Sequence, residues 1–449
     1  MGGLTFDFCS RRLRVRGLEG NAATQVGRSA CRHGPPSGTP GPAWLRHAAA
    51  GTLPLTAPVP TPGPPLRLTR LRLTDFRSYP AFEARFGGRV VAIAGENGVG
   101  KTNLLEAISL LGPGRGLRGA RAAEIGRRAG GESRAWAAWG RFEGPLGAAD
   151  IATGTVGEEG ADARRKWRLD NEPLRSGADL ADRAAAVWLT PQMDRLFQEG
   201  ASGRRRFLDR LVWALEPHHA REVAAHETAM SGRNRLLAEG RRDARWLAAL
   251  EDAMARHAVA AAAARRALAT RLNAVLAAGT ATGAFPAARL DLLDPIAAAL
   301  DEAPALAVED RLREDLAANR GRDAAAGGAA VGAHRADLAL VHLPKDMPAD
   351  LCSTGEQKAL LVSVVLAHAA LIGAARGFAP LLLLDEVAAH LDQARREALY
   401  AALSDLPAQV FLTGTEPDIF APLRGAAEGF RATPAGLIAL PDFPVPNPA

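Results

Sequence analysis

Leu66-Arg67-Leu68-Thr69-Arg70-Leu71-Arg72-Leu73 alternates apolar and polar residues, the period-2 pattern of a half-buried strand. A loop over 75–79 and a second strand over 81–86 follow. Arg89-Val90-Val91-Ala92-Ile93-Ala94, short, apolar and β-branched, predicts a buried strand. Residues 103–111 carry helical spacing and predict an amphipathic helix. Short strands with Gly-rich turns are expected over 135–169, and Ala186-Val187-Trp188-Leu189-Thr190 predicts a buried strand stopped by Pro191. From 202 to 278 the period changes to helical, dense in Ala, Leu, Arg and Glu, with interruptions at Pro217, Gly232 and Gly240. Helices of at most about 35 residues are allowed there, an arm of roughly 50 Å at about 1.5 Å per residue. A mixed segment around Leu290-Asp291-Leu292-Leu293, an Ala/Gly-rich loop over 324–331 and an apolar stretch from Asp337 to Leu343 come next. A long apolar helix over 359–372 and the run Leu381-Leu382-Leu383-Leu384, a strand buried on both faces, complete the pattern.

These periods predict an α/β fold whose head is split into 66–195 and 331–440. A second, mainly helical lobe at 196–330 would interrupt it and carry a short antiparallel helical arm, and 441–449 reads as a tail. Residues 1–65 lack periodicity: Pro and Gly cluster at 35–42 and 54–65 and Arg is frequent. They read as a disordered N-terminal extension. A start assigned too far upstream accounts for them better than an organelle transit peptide, because no amphipathic helix is predicted.

At 449 residues and 47% hydrophobic, the chain can build a substantial core without staples. Cys9, Cys31 and Cys352 form no C-x-x-C pair, so neither a disulfide framework nor a cysteine zinc site is indicated, which suits a reducing cytoplasm. No run of about 18 apolar residues is free of charge, so no membrane span is expected. A net charge of +6 fits a polyanion partner and equally the arginine excess of a GC-rich genome. Arg204, Arg205 and Arg206, adjacent at a helix start, are candidate phosphate contacts; a solvated helix start with one or two ion pairs is the alternative.

Gly95-Glu96-Asn97-Gly98-Val99-Gly100-Lys101-Thr102 fits G-x-x-x-x-G-K-[ST], between a predicted strand and a predicted helix. The chemistry needs that order. Glycines let successive N–H groups point inward, and the helix start adds its positive dipole end to the anion nest. Lys101 would reach the β- and γ-phosphates of ATP, and the Thr102 hydroxyl would ligate Mg²⁺. Lysine is rare in this chain, at 101, 166, 345 and 358 only, so Lys101 is not background. The leucine run ends in Asp385-Glu386. Asp385 is placed to hold the Mg²⁺ shell and Glu386 to polarise an attacking water.

Cys352-Ser353-Thr354-Gly355-Glu356-Gln357-Lys358 opens the apolar helix ahead of that strand, with Ser353 at an N-cap position. The segment resembles the signature motif of the ABC ATPase superfamily, and His390-Leu391-Asp392 is similar to its D-loop. That resemblance implies an ATP-dependent homodimer in which the signature of one subunit, through Ser353, Gly355 and Gln357 with Asp392 nearby, faces the P-loop residues 95–102 and Asn103 of the other. Two departures stand out. No switch histidine occurs at Phe411-Leu412-Thr413-Gly414-Thr415-Glu416, and no Q-loop closely follows the P-loop helix, leaving Gln192 as the candidate.

The resemblance narrows with six blocks in register: 71–79, 95–103, 203–209, 332–338, 353–358 and 411–415 together resemble the bacterial RecF family over about 66–435. Gly332-Ala333-His334 departs from that family's usual Gly-Pro-His. The resemblance implies a cytoplasmic recombination mediator whose ATPase head is related to chromosome-organising ATPases. It would bind duplex DNA beside single-stranded gaps when ATP closes the dimer and hydrolyse ATP slowly, as a switch. It would work with RecR and RecO to place RecA in gap repair and the SOS response. Two rivals predict different chains. A transporter ATP-binding subunit would carry a shorter insertion, a switch histidine and a groove for membrane partners, and a chromosome-bridging ATPase would carry arms several times longer.

Overall fold

The computed structural model describes residues 65–445 except 130–131, 156–163, 241–242 and 280–284. The proposed extension at 1–65 therefore lies outside the described residues, apart from its last position. Two six-stranded sheets form the head. The first is antiparallel, in the order Tyr79–Arg85, Arg67–Phe76, Ala137–Gly144, Gly147–Thr155, Arg165–Leu169, Glu172–Leu174. The second runs Ala186–Leu189, Leu381–Leu384, Val410–Gly414, Val90–Ala94, Ala427–Thr433, Gly436–Ala439; its first five strands are parallel. Helix Lys101–Leu110 contacts both sheets. This corrects the expectation of an amphipathic helix: Leu104 through Leu110 are all buried, Glu106 and Ser109 included, because a helix between two sheets has no solvent face. The parallel strands share one edge, so the P-loop, Asp385-Glu386, the residues after Leu189 and Thr413-Gly414 all emerge at their C-terminal ends, where an open α/β sheet binds its ligand.

The helical lobe is built on Ala244–Ala277, 34 residues and hence about 50 Å long. His219–Ala238 runs antiparallel beside it, since Glu222 meets His257, His226 meets Met254 and Arg233 meets Glu251. The predicted break at Gly232 is absent: Gly232 lies inside the helix, where a Cβ would touch Leu250 of the long helix. Pro217 and Gly240, φ 66°, do mark helix ends. The long helix joins two apolar cores. Leu268, Leu272 and Leu276 enter the head core, while Met254, Ala258 and Val259 pack with Val308, Leu312 and Leu316.

Asp337–His342, expected to reopen the head, instead pairs antiparallel with Ala288–Leu293 in a separate sheet that Met347–Pro348 completes. The Ala/Gly-rich loop begins later than its composition suggests, because Arg320–Ala326 is helical up to Gly327 at φ 72°. Phe443, in the stretch expected to be a tail, is buried against Gly429. Helix Thr354–Arg376 is long and apolar enough, by length and composition, to cross a membrane, contrary to the sequence expectation; it is mostly buried in the protein as a core helix.

Candidate nucleotide site

Strand Val90–Ala94 is wholly buried and delivers the loop, in which Glu96, Asn97 and Gly98 are exposed. Gly98 and Gly100 take φ of 83° and 112°, which L side chains rarely adopt, and a Cβ on Gly100 would stand 2.5 Å from Tyr79 Oη. Lys101 Nζ folds over the loop, donating to the carbonyls of Gly95 (2.6 Å) and Glu96 (3.0 Å), with Glu386 Oε1 at 3.5 Å. A buried ammonium held by carbonyls and one partly exposed carboxylate is poised for an anion at the loop.

Asp385 is buried, and three groups converge on it. Thr102 Oγ1 donates to Oδ2 at 2.9 Å, Thr413 Oγ1 donates to Oδ1 at 2.7 Å, and the Asp385 N–H is spent on the Leu189 carbonyl. Burial pushes the Asp385 carboxyl above its ordinary pKa; the bonds from Thr413 and Thr102 pull the other way. Glu386 follows at φ 51°, its N–H donating to Thr413 Oγ1 at 3.0 Å. A non-glycine residue in that backbone region is strained and is held by its surroundings. The residues fit Mg²⁺. A hydroxyl and a carboxylate oxygen 2.9 Å apart are hard oxygen donors, and among the described residues no cluster of three His, Cys, Asp or Glu exists. That suits an ion completed by phosphates and waters rather than a protein cage.

Thr413 is the site residue that sequence reasoning passed over as merely the place of a missing histidine. Its signal was an apolar strand ending in Thr-Gly, but only the parallel pairing of Val410–Gly414 with Leu381–Leu384 puts it against Asp385. A second missed group lies beside the P-loop helix. Arg77, at the turn of the first hairpin, grips buried Glu106 with two N–H groups, and Arg118 donates to Glu106 and to Asn103 Oδ1. Asn103, predicted to touch nucleotide, gives its amide N–H to Ser78 Oγ at 2.9 Å, so its side chain ties the helix to the hairpin.

Ser353 caps helix Thr354–Arg376, accepting from the Glu356 N–H and donating to Glu356 Oε2 at 2.9 Å. Lys345, then the Ser353 bonds, hold Glu356 down at about 2. Ser353 is exposed and Gly355 half-exposed, whereas Gln357 is buried with its amide donating to the Cys352 carbonyl, which shapes the turn. Asp392 is exposed and caps Gln393–Asp405 through the Arg395 N–H. Gln192 is exposed just past Leu189, at the same sheet edge as Asp385. Of the three adjacent arginines, Arg204 forms an ion pair with Asp337 through two bonds and Arg205 donates to the Ala336 carbonyl, while Arg206 is exposed.

A buried parallel sheet with its P-loop, an Asp-Glu strand beside it, a capped signature helix and a helical second lobe define a P-loop ATPase head of ABC type. A family model described as an AAA domain matches residues 70–119. The DNA replication and repair protein RecF of Mesorhizobium japonicum is 49% identical over 361 residues, covering 80% of this chain and 94% of that protein. That of Caulobacter vibrioides is 48% identical over 384 residues, covering 84% and 98%. The chain belongs to the RecF family of DNA replication and repair proteins. The solved structure of the recombination mediator protein RecF-ATPrS in the RecFOR pathway shares the fold, with a TM-score of 0.73 at 21% identity over 84% of this chain and 99% of that one.

Proposed function

We propose that this chain is an ATP-gated, DNA-binding recombination mediator of the cytoplasm. It closes as a homodimer on duplex DNA next to a single-stranded gap and acts with RecR and RecO to place RecA. The convergence of Thr102 and Thr413 on Asp385, with the Glu386 N–H held by the same Thr413 hydroxyl, carries the ATP part of this reading, and membership of the family supports the rest. Lys101 exchanges the Gly95 and Glu96 carbonyls for the β- and γ-phosphates. Thr102 and Asp385 hold Mg²⁺, which when bound neutralises charge on those phosphates. Glu386, anchored by Thr413 through its own N–H, orients the attacking water. In the sandwich, Ser353, Gly355 and Asp392 act on the nucleotide of the partner subunit. One catalytic carboxylate at the end of a strained turn suits slow hydrolysis that times release from DNA.

A mixed dimer tests the arrangement. Lys101→Ala and Ser353→Arg chains, each inactive alone, should regain some ATPase activity on mixing, because one of the two composite sites is then intact. Heterodimers captured through two affinity tags control for assembly. Captured heterodimers without activity would place Ser353 at its own chain's nucleotide or make the two sites obligatorily cooperative, and failure to form any nucleotide-dependent dimer would remove the gated clamp.

A further inference from the structure

Burial holds several arginines below their ordinary pKa, and all but one of them deliver their N–H groups to carbonyls. Arg165 caps the P-loop helix at Leu110 and Gly114, Arg376 bonds Ala181 and Leu215, and Arg205 bonds Ala336. Arg210 is different. Pushed down to about 9 by burial, it has Met193 Sδ, 3.1 Å away, as its polar contact, and lies over the rings of Trp188 and Phe207 at 5.2 and 5.1 Å. A guanidinium has five N–H donors and a thioether is a weak acceptor, so most of its donor capacity is unspent.

Arg210 faces a cavity of about 550 Å³ between helix Ala201–Leu215 and the loop 113–119. Arg206, one turn earlier on the helix and exposed, lines the same space, as does Trp213. Two like charges at i, i+4 repel unless an anion sits between them. Asp209 is spent on Arg265 and His219, and Glu227 is an exposed residue of the lining. The opposite wall is kept low by Gly114, Gly116 and Gly119, all at positive φ, with Gly114 against the Trp213 ring and Arg115 exposed beside it. The Trp188 indole N–H, in the same lining, is buried without a hydrogen-bond partner.

We propose that this cavity is a second nucleic-acid subsite that takes one unstacked nucleotide, its phosphate on Arg206 and Arg210 and its base against Trp213. A guanidinium pair matches phosphate oxygens and an indole face accepts any base, the combination used for single strands. The volume suits a small ligand and excludes a duplex. The cavity lies past the C-terminal end of helix Lys101–Leu110, so it is distinct from the P-loop at that helix's start. The proposal rests on the DNA-binding reading above.

Fluorescence anisotropy with labelled (dT)10 on the full chain tests it, using Arg206→Gln, Arg210→Met and Trp213→Leu. Each arginine variant should weaken (dT)10 at least about tenfold and reduce the slope of log affinity against log salt by about 0.7. Trp213→Leu should weaken binding with the slope unchanged. Duplex binding with ATP should be preserved in Arg210→Met and Trp213→Leu. Competition by dTMP that is lost with Arg206→Gln would identify a free nucleotide as sufficient; dependence on Arg206 for (dT)10 alone would identify the strand as the source. Arg206 is exposed, so its variant should fold, and unchanged affinity and slope in Arg206→Gln would overturn the proposal. Competition by inorganic phosphate as strong as by dTMP would overturn the base contact. A wild-type chain that binds duplex but neither (dT)10 nor dTMP overturns only this subsite, whereas one that binds no DNA overturns the DNA-binding reading itself.

Discussion

Thr413 shows how much one hydroxyl can organise. It donates to Asp385 Oδ1 and accepts from the Glu386 N–H, so a single side chain sets both the Asp385 carboxylate and the strained turn that carries Glu386. Thr413→Val keeps the shape and removes both bonds. It should cost about 1–3 kcal/mol by denaturation, and steady-state ATPase activity should fall far more than binding of a fluorescent nucleotide. Asp385 leads to a stability prediction of opposite sign. Its folded pKa is raised by burial, so its contribution to stability is fully present below the ordinary aspartate range and is lost as pH rises through the raised value. At pH 7–8 the ionised group therefore costs stability. Asp385→Asn should melt at or above the wild-type temperature at pH 8, with a smaller difference at pH 5, while ATP hydrolysis is abolished; scanning calorimetry at the two pH values checks this.

The antiparallel pair His219–Ala238 and Ala244–Ala277 is held by a charge cluster as well as by its apolar seam. Arg233, fully buried, donates to Glu251, Asp323 and the Leu316 carbonyl, and Arg320 closes the cluster on Glu251. Replacing one partner of such a cluster strands the others in a dry interior. Arg233→Met should destabilise by about 3–5 kcal/mol in urea unfolding. The cluster belongs to the lobe core and not to the head core. Nucleotide affinity measured well below the melting temperature should therefore be unchanged, and a parallel loss of both would mean that the two cores are not separable.

Helix Thr354–Arg376 lies in the head core, packing on the long lobe helix, on Ala201–Leu215 and on strand Ala186–Leu189, with Lys358 at 3.4 Å from Asp194 just beyond that strand. The signature turn is thus mechanically continuous with the sheet edge where nucleotide is proposed to bind. Ligand binding at that edge should stabilise the chain by mass action. ATP with Mg²⁺ at about 100 times Kd should add about 2.7 kcal/mol to unfolding, seen as a rise in Tm. Lys101→Ala should abolish the rise, and a rise persisting in that variant would locate the stabilising nucleotide elsewhere.

Local chemistry made much of this protein legible from its residues alone. A P-loop is read from glycine and lysine spacing because positive φ and a phosphate-seeking ammonium allow few substitutes, and the Asp-Glu strand from an apolar run that only a buried parallel strand tolerates. Helix breaks at Pro217 and Gly240 follow from the same backbone limits, and the 34-residue arm helix matched the length they allow. Tertiary structure decided what those limits leave open. Gly232 continues its helix because Leu250 packs on it, and the P-loop helix buries Leu104 through Leu110, polar residues included, because two sheets enclose it. Arg204 and Arg205 face Asp337 and the Ala336 carbonyl, more than 130 positions away in the chain, and Thr413 meets Asp385 across a strand pairing. Each of these depends on a non-local neighbour, which composition and periodicity do not encode because they report a residue's own preferences and not what the fold brings against it.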